Sequence, residues 1–237
     1  VEEEKSPAAN LQEYRLRLGG RDWGVLNSGV PLTHDDEYAY LTSFKEKRDG
    51  AVPYGVMLWP SSIALAHELA ARGPEALEGR RVLELGAGTG LPGIVAAALG
   101  AARVVQTDRE PLALDVSRHN AKRNGVPAGV IEHRSSDWAA WDDPDRYDLI
   151  LGADILYNEP LHGALHALFT AALAPGGRVL LADPFRRAAM EFFEAREYEG
   201  WAVSFTKWSL AGEDSARAED VRPVGVFDLT PPKPETL

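Results

Sequence analysis

No cysteine occurs among the 237 residues. That excludes disulfides, thiolate nucleophiles, cysteine-ligated zinc and iron–sulfur clusters. A concentrated run of lysine or arginine is also missing, and 36 acidic residues against 25 basic ones give a formal charge of −11. Nucleic-acid binding needs a basic stripe that displaces counterions, so the expected partners are neutral or basic and nucleic acid is not among them. No apolar run nears the ~18 residues that span a bilayer. The opening "VEEEKSPAAN" is acidic, the opposite of a signal peptide. These absences predict a soluble, cytoplasmic protein with no membrane partner.

What is present suits one large domain, since 45% of the residues are hydrophobic and a chain of this length buries a core without staples. Residues 1–10 and the ending "PPKPETL" lack periodicity and read as disordered ends. "YRLRLGGRDWGVLNSG" (14–29) alternates around Gly-Gly as a β-hairpin does, and "LTSFKEKRDGAV" is a charged connection. Residues 1–52 thus form an N-terminal extension of the domain that occupies 53–230, with 231–237 as a tail.

From Trp59 the pattern becomes regular. "PSSIALAHELAARG" reads as a helix, with Ser61 and Ser62 supplying helix-start chemistry. "RVLELGA", "RVVQTD", "GVIEHR", "YDLILGADIL" and "RVLLAD" read as strands, separated by helical segments, one of them "EPLHGALHALFTAALAPGG", closed by Pro-Gly-Gly. This alternation predicts a Rossmann-like, doubly wound α/β fold with a mostly parallel seven-stranded sheet. "WAVSFTKWSL" and "RPVGVFDLTP" follow with no helix between them and predict an antiparallel hairpin at one sheet edge.

Ligands of such sheets bind beyond the carboxyl ends of the strands. Gly86, Gly88 and Gly90 in "RVLELGAGTGLPG" sit there, where glycine permits positive φ and removes the Cβ that keeps a ligand away. No Lys-Ser or Lys-Thr follows, so this is not a mononucleotide P-loop. A dinucleotide fingerprint needs a glycine where Leu91 stands, although Asp108 suits the ribose of such a cofactor. "ELGAGTG" fits the E/D-x-G-x-G-x-G loop of S-adenosylmethionine sites at every position. The acids suit that cofactor, since Glu84 can attract its ammonium directly or through water and Asp108 can accept two ribose hydroxyl hydrogen bonds. Glu84 has a second reading, as a strand-edge carboxylate satisfied by backbone N–H groups.

From about Pro53 to Asp183 the chain resembles the seven-strand S-adenosylmethionine-dependent methyltransferases. It is most similar to the methyltransferase-like group (methyltransferase family 16) that includes many protein-lysine N-methyltransferases. The likeness rests on "LWPSSIALAHEL", "VLELGAGTGLPGIVAAALGA", "TDRE", "SSDW" and "YDLILGADILY", in that order. It implies S-adenosyl-L-methionine as cofactor, S-adenosyl-L-homocysteine as product, and a monomer acting on a protein lysine or a small amine. By position it implies cofactor contacts at Trp59, Glu84, Gly86, Ala87, Gly88, Gly90, Asp108, Arg109, Asp137, Trp138 and Ala153. The D-x-x-Y pair falls on Asp154 and Tyr157, where the acceptor should arrive. "ADPFRR" is similar to the flavoprotein-directed branch and "GADILY" to the chaperone-directed branch, so the sequence does not choose between them.

Other readings stay open beside these. Tyr157 could close the fourth strand as a core aromatic, and Trp138 could be plain packing. Arg186 and Arg187 read either as a solvated helix start or as a substrate clamp. His162 and His166, one helical turn apart, lack a local third ligand, so they read as solvent-facing and no metal is expected. A small-molecule N-methyltransferase acting on a nicotinamide-like amine, or a cofactor-binding regulator without turnover, would carry the same loop.

Overall fold

The computed structural model describes residues 11–32, 54–210 and 222–233. The disordered-end reading of 1–10 and the charged connection of 41–52 lie outside them, as do residues 211–221 and 234–237.

A hairpin of β1 (Gln12–Leu18) and β2 (Arg21–Asn27) turns at Gly19 and Gly20, both with positive φ. The remaining elements are α1 (Pro60–Arg72), β3 (Arg81–Leu85), α2 (Leu91–Ala98), β4 (Arg103–Asp108), α3 (Pro111–Arg123) and β5 (Ile131–Ser135). They continue with β6 (Tyr147–Ala153), α4 (His162–Ala172), β7 (Leu173–Asp183), α5 (Arg187–Tyr198), β8 (Ala202–Leu210) and β9 (Arg222–Thr230). The sheet order is β5-β4-β3-β6-β7-β9-β8, with β9 antiparallel to both neighbours. The order reverses between β3 and β6, and the crevice for a ligand opens there.

Strand periodicity separates the two faces. Val82, Val104, Leu151 and Leu180 pack against Ile63, Leu69, Leu91 and Ile94 of α1 and α2. Leu83, Val105, Ile150 and Leu181 pack against Leu165, Phe169, Phe192 and Phe193 of α4 and α5. Among the described residues no helix is long and apolar enough to cross a membrane.

Two local expectations are corrected. Helix α4 stops at Ala172, and Pro175-Gly176-Gly177 lies inside β7, which begins at Leu173 by pairing with Tyr147 across a register shift. The kink needs glycine, because a Cβ on Gly177 would stand 2.9 Å from Ala174 O and 3.0 Å from Tyr147 O. The helix-start role of the serines also fails. Trp59 is the N-cap, Pro60 sets the first turn, and the buried hydroxyls of Ser61 and Ser62 have no hydrogen-bond partner.

The hairpin is held by two asparagines that the sequence reading passed over. Asn120 Oδ1 accepts from Leu26 N at 2.7 Å and its Nδ2 donates to Leu26 O at 3.1 Å. One turn later, Asn124 makes the same pair of bonds with Gly24, at 3.1 and 2.9 Å. Side chains on α3 thereby satisfy the free edge of β2. Asn120 Nδ2 also reaches Thr89 O at 2.9 Å, joining the hairpin to the glycine loop. Asn120→Ala leaves three backbone groups without this partner, the buried Thr89 O and the part-buried Leu26 N and O, and should cost about 2 kcal/mol or more. Urea unfolding of this variant beside Asn124→Ala tests the loop's share, since Asn124→Ala leaves Thr89 bonded and gives up a bond to Asn120 O that Asn124 N still satisfies; a smaller loss for Asn120→Ala would mean that the Thr89 bond adds nothing.

Candidate functional site at the carboxyl ends of the strands

The loop after β3 bends through three left-handed glycines, Gly86 (φ 62), Gly88 (φ 55) and Gly90 (φ 81). A Cβ on Gly86 would lie 3.1 Å from Ile155 Cγ2 and 3.3 Å from Trp138 Cζ2, so the turn after β6 and the Trp138 ring both abut the loop. On Gly88 it would lie 3.0 Å from Gly55 O, which brings in the short 3-10 turn Tyr54–Val56. Beyond that turn Tyr54 stacks on Trp59 with centroids 4.9 Å apart. These contacts gather three segments far apart in the chain around one loop.

Asp108 ends β4 and is buried. Its Oδ2 accepts from Gly88 N and its Oδ1 from Glu110 N, each at 3.0 Å. A carboxylate has about four lone-pair sites, so both oxygens retain acceptor capacity. Burial raises its pKa above the usual carboxylate value despite those bonds. Arg109 stands on the rim, largely exposed, 3.9 Å from Glu110. Asp137 is exposed and caps the Trp138–Ala140 turn by accepting from Ala139 N. Trp138 is half-buried, and Ala87 N donates to Thr107 O at 2.9 Å.

Glu84 lies beneath the loop. It alternates with Leu83 and Leu85, so it faces α2, and the strand register sets it opposite Gln106. Its Oε2 accepts from Gln106 Nε2 at 2.6 Å and from Gly93 N at 3.1 Å. Gln106 also donates to Gly90 O at 2.8 Å and accepts from Ser117 Oγ at 2.6 Å, and His133 Nε2 lies 3.3 Å from that hydroxyl. A chain of polar side chains therefore underpins the loop. Gly93 is the counterpart of this arrangement, because a Cβ there would sit 2.4 Å from Glu84 Oε2. Glu84 is 3% exposed, and desolvation pushes its pKa up to about 8. Gln106, Ser117 and Gly93 carried no signal in the sequence beyond being polar or small at core positions.

At the end of β6, Asp154 follows Ala153 in a left-handed conformation (φ 56) and forms an ion pair with Arg186. Tyr157 is 60% exposed, which removes its core-aromatic reading. The two arginines divide: Arg186 is largely buried among acids, while Arg187 is solvated beside Glu191 at 3.2 Å. The histidines are not simply solvent-facing. His162 donates to Leu156 O at 3.0 Å and packs edge-on to Phe192, and His166 packs edge-on to Trp201. Among the described residues no three metal-ligating side chains gather.

A profile of the lysine methyltransferase family matches residues 41–198, well over half of the chain. The chain belongs to the lysine methyltransferase family. Within and near that family, the electron transfer flavoprotein beta subunit lysine methyltransferase of Danio rerio is 37% identical over 136 residues, 56% of this chain and 51% of that protein. Protein N-lysine methyltransferase METTL21A of Danio rerio is 44% identical over 115 residues, 46% of this chain and 51% of that protein. The chain thus spans about half the length of these two relatives. Among solved structures, N-methyltransferase NodS of Bradyrhizobium japonicum in complex with S-adenosyl-L-homocysteine aligns with a TM-score of 0.58 at 17% identity. That match covers 82% of this chain and 99% of NodS and is a likeness of fold.

The residues present fit the cofactor of this fold. Left-handed glycines turn the loop backbone at Gly86 and Gly88, Asp108 keeps acceptor sites at the end of β4, and its neighbour Arg109 is largely exposed. Such a cradle suits a cationic ligand with a diol better than one with phosphates.

Proposed function

We propose that this chain transfers the methyl group of S-adenosylmethionine to the side-chain amine of a protein lysine. The observation that carries the proposal is the contact of Ile155 with Gly86, since it sets Asp154 one residue from the glycine loop. In this reading Gly86, Ala87, Gly88 and Gly90 back the donor, and Asp108 accepts from the ribose hydroxyls. Asp137 and Trp138 border the adenine, Ala153 and Trp59 flank the methionine side, and Arg109 closes the rim. Glu84 acts from below, through the loop it braces. When bound, the cofactor supplies an electrophilic methyl group on a sulfonium.

The chain's own work is alignment and desolvation, because in-line transfer creates little net charge. A free lysine has a pKa of ~10.4, so the acceptor arrives as a cation and must release a proton to solvent water before the neutral amine attacks. Asp154 would hold that ammonium and orient it, and the exposed ring of Tyr157 would face it, an interaction of ~0.5–2 kcal/mol. The formal charge of −11 favours a lysine-bearing segment over nucleic acid.

Incubation with tritiated S-adenosylmethionine and a cell lysate tests the reading. Label is expected on protein and, after acid hydrolysis, in methyl-lysine. Label confined to small molecules would overturn the protein-acceptor half. Asp154→Ala should label at least tenfold more slowly while its affinity for S-adenosylhomocysteine stays within threefold; undiminished labelling would sink the role of Asp154.

A further inference from the structure

The turn after β7 holds charges that methyl transfer as described leaves unused. Asp183, the last residue of β7, is 1% exposed, and its Oδ1 accepts from Arg186 N at 2.7 Å. Arg186 Nη1 donates to Asp183 Oδ2 at 3.2 Å and also to Asp154 Oδ1. Ala153 and Ala182 are register partners, so neighbouring strands deliver Asp154 and Asp183 side by side. Two non-glycine residues take left-handed backbones here, Asp154 (φ 56) and Phe185 (φ 61). Strain of this kind persists where surrounding contacts over-determine it.

The charges do not balance. Two carboxylates share one guanidinium, and among the described residues no other cation pairs with either acid. Desolvation raises the Asp183 pKa to about 6, so Asp183 is largely ionised at neutral pH and the single guanidinium faces two acids. Asp154 Oδ2 accepts no hydrogen bond among the described residues. An unbalanced, mostly buried charge costs stability unless something neutralises it. A purely structural brace would need only one acid for its arginine.

We propose that Asp183, Arg186 and Asp154 form a composite seat for the acceptor's ammonium group, with Asp183 as a positioning residue that neutralises Arg186 and leaves the Asp154 charge for the incoming cation. The inference rests on the amine-acceptor reading above and adds how the amine is selected. Lysine ammonium completes the charge balance; a hydroxyl or an amide of the same shape does not.

The test uses n-butylammonium, the lysine side chain alone, and 1-butanol as its neutral counterpart, each titrated calorimetrically into the protein saturated with S-adenosylhomocysteine. The wild type should bind the ammonium at least tenfold more tightly than the alcohol. Asp183→Asn should weaken the ammonium at least fivefold, with 1-butanol and S-adenosylhomocysteine within twofold of wild type. Asp183→Asn combined with Arg186→Leu removes one charge of each sign and should restore the ammonium to within twofold. Wild-type-like binding by Asp183→Asn, equal loss of both ligands, or no recovery in the double variant would each overturn the seat.

Should Asp183→Asn fail to fold, the wild type alone decides. The charged groups facing Asp183 among the described residues are Arg186 and Asp154. Ammonium binding should therefore weaken between pH 7 and 5.5, around the Asp183 pKa of about 6; a flat profile there overturns the proposal. Binding is read without turnover, so the two readings separate. Ammonium selectivity without any labelled amine keeps the seat and removes the activity. Labelling with an unaffected Asp183→Asn removes the seat alone.

Discussion

Gly90→Ala should lower stability by at least ~3 kcal/mol and weaken S-adenosylhomocysteine at least tenfold. The backbone at Gly90 has φ 81, where a side chain costs ~1–2 kcal/mol. The added Cβ would stand 2.0 Å from Ser117 Oγ and 2.8 Å from Ser117 Cβ, which helix α3 fixes in place. Relief requires breaking the Ser117–Gln106 bond, and Gln106 is the amide that ties Gly90 O to Glu84. Each buried group left unpaired adds ~1–3 kcal/mol. Gly129→Ala is the control, since its φ of 86 brings the same strain with nothing within 4 Å of the new methyl. At ~2–4 °C per kcal/mol for a domain of this size, the Gly90 variant should melt at least 6 °C below wild type and clearly below the control. Equal melting temperatures for the two variants would show that the polar layer beneath the loop carries no weight.

Glu84→Gln should flatten the pH dependence of stability and make the protein more stable than wild type at pH 8.5. Burial lifts the Glu84 pKa from 4.5 to about 8 in the folded chain. The folded state therefore binds more protons than the unfolded state between those values, and stability falls as pH rises through that window. One pKa unit is ~1.4 kcal/mol, which sets a ceiling of about 5 kcal/mol for the full difference. Glutamine keeps the acceptor that Gly93 N and Gln106 Nε2 use and has no proton to lose. Asp183 is also raised and slopes the same way in both proteins, so the difference between the two profiles reports Glu84 together with its coupling to Asp108. Thermal melts from pH 5 to 8.5 measure it; parallel profiles would mean that Glu84 is ionised in the fold. Donor affinity in the same variant reports whether the carboxylate also acts on a bound ammonium.

The periodic segments were legible because local punctuation decides them. Three helices begin with proline in the first turn, strands alternate or run apolar according to how many faces they bury, and the E-x-G-x-G-x-G loop follows from backbone geometry alone. What escaped depends on distant partners. Asn120 and Asn124 look like the polar end of a helix until β2, some hundred positions earlier, is seen to lack an edge partner. Glu84 carries two readings in the sequence, a cofactor-facing acid and a strand carboxylate satisfied by backbone N–H groups, and the register opposite Gln106 that turns it towards α2 is not local. Asp183 joins Asp154 only because β6 and β7 are neighbours, which no spacing in the chain announces. Ser61 and Ser62 had the composition of a cap, but Pro60 moved the boundary one residue earlier.

Strand β9 lies between β7 and β8, although it follows both in the chain. A ribosome therefore releases β8 before the strand that must join it to the sheet. Until residues 222–230 emerge, β7 keeps a bare edge, and Phe193 lacks the Phe227 ring that stacks on it at 3.9 Å. At ~5–20 residues per second, synthesis from the end of β7 to the end of β9 lasts roughly 2–9 s. During that interval the nascent chain displays an open edge and an uncovered aromatic cluster, the surfaces that chaperones bind and aggregates grow from. Of the seven strands in this sheet, the last one made is thus the one that joins the others.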